Sequence, residues 1–159
     1  MSRIIVCDTT TLIVLEKQRR LALLCELFNE VIIPENVFHE FQAGLVDDQS
    51  LADAGCLSVV KVASSSRLNS LLILLDAGEA EAIELAASEQ LPLIIDEKKG
   101  RSIAQRLGLV ITGLAGLLVL AAKENILKSA QAQDILDNAV QHGYRLSPGL
   151  YKQITDQLK

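Results

Sequence analysis

Tryptophan is absent, and aromatic residues make up only 3% of the 159 positions. A core of stacked rings is therefore excluded. Apolar residues still make up 50% of the chain, so the core must be built from Leu, Ile, Val and Ala. An excess of positive charge is missing too: the formal net charge is −5. That excludes a uniformly basic nucleic-acid binder but not a local basic patch. An acidic enzyme can still hold a nucleic acid when bound cations neutralise its site. Cysteines are few and widely spaced, at Cys7, Cys25 and Cys56, with no CxxC and no zinc-ligand pattern. They are expected to be buried, reduced thiols of a cytoplasmic protein. Long apolar runs are also missing. The longest, Leu107 to Ala122, is broken by Thr112 and by glycines, and suits a buried strand entering a buried helix better than a membrane span. The apolar stretch before Asp8 is too short for a signal-peptide core.

Several phosphate-handling signatures are absent as well. No GxxxxGK[ST] occurs, which excludes a P-loop, and no GxGxxG follows the first apolar strand, which argues against a dinucleotide fold. Thr10 stands where a two-aspartate phosphatase would carry its second acid. No GxSxG is present, which argues against an α/β-hydrolase.

What is present is a strand–helix alternation. Arg3 to Asp8 reads as a strand with the continuous apolar run Ile4-Ile5-Val6, which suits a parallel strand covered on both faces. Thr9 or Thr10 is placed to cap the following helix. Arg20 to Phe28 has helical spacing, and Val31-Ile32-Ile33 is a second strand. Pro34 starts a helix that stops near Gly44. Asp47 to Gly55 reads as a short helix and Cys56 to Val62 as a third strand. Ser64-Ser65-Ser66 reads as a loop, with a short helix at Leu71 to Leu75. Asp76-Ala77-Gly78-Glu79 opens a clear helix, and Leu91 to Asp96 is a fourth strand. A basic helix runs from Lys98 to Leu107, ended by Gly108. Leu109-Val110-Ile111 is a fifth strand, followed by an apolar helix to Lys123. Two more helices span Ser129 to His142 and Ser147 to Leu158, the latter opened by Ser147-Pro148. The pattern predicts one α/β domain over residues 1–159: a three-layer α/β/α sandwich on a central parallel sheet of about five strands.

Carboxylates recur at strand ends and helix starts: Asp8, Glu40, Glu79 and Asp96. In an open parallel sheet, ligands sit outside the carboxyl ends of the strands. Asp8 and Asp96 each follow an apolar strand, so both are expected at that edge. Such hard oxygen donors suit Mg²⁺ or Mn²⁺. Each acid also has a plainer reading. Asp8 can simply cap a helix, and Asp96 can begin a loop. Glu40 can be a solvated helix carboxylate. Glu79 can fold back on Asp76 in a capping box. Glu81 is a substitute for Glu79, but two residues along a helix it points to the other side. The basic run Lys98, Lys99, Arg101 and Arg106 is either a solvated face or a set of contacts to RNA phosphates.

The ordered segments Val6-Cys7-Asp8-Thr9-Thr10, Pro34 to Glu40, Asp76 to Ile83, Leu93 to Glu97 and Val110 to Gly113 resemble the PIN-domain ribonucleases. More narrowly, they resemble short PIN-like proteins related to VapC-type toxins. The resemblance runs from residue 3 to about residue 125. It implies a metal-dependent ribonuclease whose four acids, Asp8, Glu40, Glu79 and Asp96, are catalytic and hold Mg²⁺ or Mn²⁺. Glu79 departs from the commoner Asp at its position. The resemblance also implies a supporting hydroxyl at Thr10, an RNA substrate, a homodimer and a small antitoxin partner. The rival expectation is a non-catalytic RNA-binding or protein-interaction module of the same fold. A phosphatase-like hydrolase is a weaker third.

Overall fold

The continuous apolar run Ile4-Ile5-Val6 becomes the centre of the sheet. In the computed structural model, which describes residues 3–45 and 54–159, β1 (Ile4–Cys7) pairs in parallel with a strand on each side. Its neighbours are β2 (Glu30–Pro34) and β4 (Leu93–Ile94). The outer strands are β3 (Leu57–Val60) beside β2 and β5 (Ile111–Thr112) beside β4. The sheet order is β3-β2-β1-β4-β5, with every pair parallel. Val6 lies opposite Ile32 and Leu93, and Ile94 opposite Cys7 and Thr112.

The helices alternate with the strands as expected. They are α1 (Thr9–Lys17), α2 (Ala22–Leu27), α3 (Glu35–Ala43), α4 (Ser66–Leu74), α5 (Ala77–Glu89) and α6 (Lys98–Arg106). Side chains from alternate strand positions feed opposite faces. Val6, Leu93 and Ile95 join a buried cluster with Leu68 and Leu71 of α4, Ile83 and small residues of α5, and Ala104 of α6. The intervening Ile5, Cys7, Val31, Ile33 and Ile94 are buried as well. Burial on both faces explains why these strands read as unbroken apolar runs rather than alternating ones. The alanines of α5 carry little bulk, so that helix lies close on β1, β2 and β4. Enclosing Ile83 completely contributes about 1.5–3 kcal/mol by apolar burial.

Two compact units divide the chain, Met1–Thr112 and Gly113–Lys159. The first carries the whole sheet. In the second, α7 (Leu114–Lys123) packs on α8 (Ser129–Gln141) and on α9 (Pro148–Gln157). Ser147 caps α9 by accepting the Leu150 N–H, with Pro148 in the first turn, as its sequence required.

Four expectations need correction. Asp8, not a threonine, occupies the cap position of α1, and its side chain makes no capping bond. The serine stretch is less of a loop than it reads. Ser65 accepts the Leu68 N–H and starts α4 at Ser66, well before Leu71. The last two strands are shorter than expected and the fifth is shifted: strand pairing is held only at Leu93–Ile94 and Ile111–Thr112. Finally, Cys25 and Cys56 are not free thiols but a disulfide. The bond joins α2 to the turn before β3 across a sequence separation of 31, a loop closure worth about 3–4 kcal/mol in the chain-entropy account. Spacing alone concealed it, because the two cysteines meet only once β2 and β3 pair. Cys7 is free and buried, as expected, and burial pushes its thiol pKa up. The expected helix at Asp47 to Gly55 falls largely outside the described residues.

Candidate functional site

The sheet reverses its winding between β1 and β4. Strands β1 to β3 are laid down in one direction from β1, and β4 and β5 in the other. Such a switch point opens a crevice outside the carboxyl ends of the two central strands. Asp8 follows β1 directly, and its backbone N–H donates to the Ile94 carbonyl of β4. Asp96 lies just past the end of β4. Pairing in parallel therefore delivers both acids to the same place.

Asp8 is only 5% exposed. Burial pushes its pKa from 3.8 up to about 7. The Thr9 backbone N–H opposes this, while the nearby charges of Asp76, Glu40 and Asp96 add to it. A carboxylate placed without a cation among three others must rise in this way. Two threonines reach outward on either side of Asp8. Thr9 Oγ1 donates to Glu40 Oε2 at 2.9 Å, and Thr11 Oγ1 donates to Asp96 Oδ2 at 2.8 Å. Two residues along a helix project to roughly opposite sides. One hydroxyl thus serves α3 and the other the end of β4. Thr10, between them, reaches none of these carboxylates among the described residues; its neighbours Thr9 and Thr11 make those contacts.

Glu40 comes from α3 and lies against the start of α5. A Cβ placed on Gly78 would meet Glu40 Oε1 at 2.8 Å. Gly78 thus gives the carboxylate room beside the helix backbone. Asp76 caps α5, accepting the Glu79 N–H at 2.8 Å. Glu79 does not complete the capping box in the ordinary way. Its Oε2 is buried and meets no donor. Around it lie Gly100, whose Cβ would come within 3.2 Å, and the carboxylates of Asp76 and Glu97. Burial, then hydrogen bonding to Asp76 and Glu97, pushes Glu79 up to about 9. Glu97 behaves oppositely. Burial raises it, but the N–H groups of Gly100 and Lys99 and the bond from Glu79 outweigh that and hold it below the usual range. The two neighbouring carboxyl groups are thus pushed in opposite directions.

The four expected acids therefore meet in one electrostatic field centred on Asp8. As placed, however, no three His, Cys, Asp or Glu side chains among the described residues form a group able to hold a metal ion. The donor set is all oxygen and hard, and an orphaned buried oxygen on Glu79 is what a cation would satisfy. The residues fit a divalent ion in chemistry, while the carboxylates are gathered but not closed on one point. Reading the sequence for strand-end acids missed Asp76 and Glu97. Each carried a signal, an acid three residues before a helical N–H that it caps. Of the basic candidates, Lys98 and Lys99 are exposed at the start of α6. Arg101 donates to the Ile95 carbonyl at 2.8 Å and is tied to the strand end.

A family model described as a PIN domain, DUF3368, matches residues 4–159. The chain belongs to the PIN-domain family. The PIN fold is nuclease-like. A PilT N-terminus domain protein from the hyperthermophilic archaeon Sulfolobus solfataricus P2 superposes with a TM-score of 0.57 at 19% identity, over 74% of this chain and 92% of that one. That likeness supports the three-layer α/β/α fold of this PIN domain and, at such identity, nothing finer. No curated protein matches the chain significantly. No described helix is long and apolar enough to cross a membrane.

Proposed function

We propose that this PIN domain is a metal-dependent ribonuclease. The observation that carries the reading is Asp8, buried at the switch point among the charges of Asp76, Glu40 and Asp96. Burying a carboxylate beside other carboxylates costs stability and serves no packing purpose. Asp8, Glu40, Glu79 and Asp96 would hold Mg²⁺ or Mn²⁺. When bound, such an ion supplies neutralising charge and Lewis acidity beside a scissile phosphodiester. The chain's own groups do the rest. Thr9 and Thr11 fix the oxygens of Glu40 and Asp96. Burial and the surrounding carboxylates raise the Asp8 pKa to about 7, so a bound cation would favour its charged form. Lys98 and Lys99 lie beside Asp96 and suit flanking RNA phosphates, while Arg101 contributes by bracing the strand end.

The exposed apolar side chains Leu72, Ile73 and Leu74 on α4 suit a protein contact. A homodimer and a small antitoxin are the partners this reading carries. We place its work in the cytoplasm. Disulfides such as Cys25–Cys56 are uncommon there, so activity of the reduced chain is a direct check on that placement.

The test is cleavage of single-stranded RNA by the purified chain with Mn²⁺. Cleavage should stop with EDTA. In Asp8→Asn it should fall by more than the ~10–100-fold seen when outer-shell partners of a metal are removed. Mn²⁺ binding without any cleavage would favour the non-catalytic module instead. No Mn²⁺ binding at millimolar metal would remove the metal from the reading altogether.

A further inference from the structure

Helix α3 has a bare N-terminus. Its cap position is Pro34, which offers no side-chain acceptor, and its first turn must find an acceptor elsewhere. That acceptor is Glu81 of α5. Glu81 Oε1 accepts the Asn36 backbone N–H at 3.3 Å, and Oε2 accepts from Asn36 Nδ2 at 2.6 Å. A carboxylate at this point also suits the positive end of the helix dipole.

The location of this link matters more than its strength. Asn36 and Glu40 are four residues apart on α3 and share one face. Gly78 and Glu81 are three apart on α5 and also share one face. The two helices therefore touch at two matched points, Asn36 on Glu81 and the Glu40 carboxylate on Gly78. The forward direction of α3 runs against that of α5, so the pairs are consecutive rungs of one antiparallel contact. The Asn36 rung ties the first turn of α3 to α5, one helical turn from the rung that seats Glu40.

We infer that Glu81 is a positioning residue: by capping α3 across the helix pair, it sets where Glu40 stands relative to Asp8 and Glu79. The inference rests on the metal-site reading for its functional consequence, but the link itself does not. Glu81 touches none of the acids around Asp8. It acts through α3.

A donor–acceptor swap tests it in the full chain, with two readouts. The first is Mn²⁺ affinity by calorimetry. The second is amide hydrogen exchange at Asn36 to Phe38 in metal-free protein. Glu81→Ala should weaken Mn²⁺ binding by about 10-fold, the low end for outer-shell partners, and speed exchange in the first turn of α3. Asn36→Asp should do the same, because two carboxylates then face each other. The double variant Asn36→Asp with Glu81→Gln restores both bonds. The Gln oxygen accepts the backbone N–H, and its amide donates to the carboxylate introduced on α3. Affinity should return to within about 3-fold of the wild type, and exchange should slow again. Wild-type affinity in Glu81→Ala, or a double variant no better than the singles, overturns the positioning role. Should the wild type bind no Mn²⁺, the ribonuclease reading fails by itself. The exchange arm then decides: protection lost in Glu81→Ala and regained in the swap upholds the cap, and unchanged exchange refutes it.

Discussion

Asp8 and Asp96 follow adjacent strands, each after an apolar run, yet they are held in different ways. Asp8 is enclosed, caps nothing with its side chain and is crowded by other acids. Asp96 is only half-buried and accepts a hydroxyl from Thr11. The same local motif thus gives one destabilised acid and one supported acid. The difference comes from what each strand end faces. Past β1 the chain turns directly into α1, which packs against α3, whereas past β4 it leaves through the exposed Glu97. A site proposed to attract a cation benefits from both kinds. The enclosed acid gains most from positive charge brought beside it, and the supported acid supplies a fixed oxygen.

The largest effect that would break this contrast is on stability without metal. Burial holds Asp8 near 7 in the folded chain, against an ordinary value of 3.8. The folded state therefore keeps a proton that the unfolded chain gives up above about pH 4. That contribution is complete below about pH 4 and is lost as pH rises through 7. At pH 8 and without metal, Asp8→Asn should be more stable than the wild type, by on the order of 4 kcal/mol if the whole shift is realised. Asp96→Asn should show no comparable gain. Urea unfolding of both variants with EDTA measures this, and equal behaviour would dissolve the distinction.

The pH slope sharpens the same point. Wild-type stability with EDTA should fall between about pH 4 and 7. The raised position of Glu79, near 9, should continue the fall toward alkaline pH. Saturating Mn²⁺ should flatten both parts, because a cation favours the charged carboxylates. A slope unaffected by Mn²⁺ would mean that the ion binds elsewhere.

Next in size is Gly78→Ala. Its Cβ would displace Glu40 Oε1, the flexible end of a side chain, while Ala favours the helix. Stability should stay within about 1 kcal/mol, and Mn²⁺ affinity should fall by roughly 10–100-fold. Unaltered affinity in calorimetry would show that Glu40 is not a ligand. The smallest effect belongs to the supporting hydroxyls. Thr9→Val and Thr11→Val should each cost about 10-fold in cleavage rate at limiting Mn²⁺, and Thr10→Val should cost nothing measurable.

The parallel sheet and its helices were legible because burial on two faces leaves continuous apolar runs at Ile4 to Val6, Val31 to Ile33 and Leu93 to Ile95. Pro34 and Ser147-Pro148 marked helix starts for a local reason, a preset backbone angle. Strand ends marked Asp8 and Asp96 equally well. The Thr9 and Thr11 contacts were not legible, since they depend on which side of α1 faces α3. Neither was the partnership of Cys25 with Cys56, which follows from strand pairing. Glu81 was visible only as a residue pointing away from Glu79, and what it points toward lies 45 positions earlier.

Local chemistry along the chain was enough to determine the class of fold and the edge where acids accumulate, because apolar period and strand-end carboxylates are short-range properties. Tertiary structure alone decided which acid is starved of solvent, which hydroxyl serves which carboxylate, and how α3 is pinned to α5. Those outcomes depend on distances between segments far apart in sequence, and only folding sets such distances.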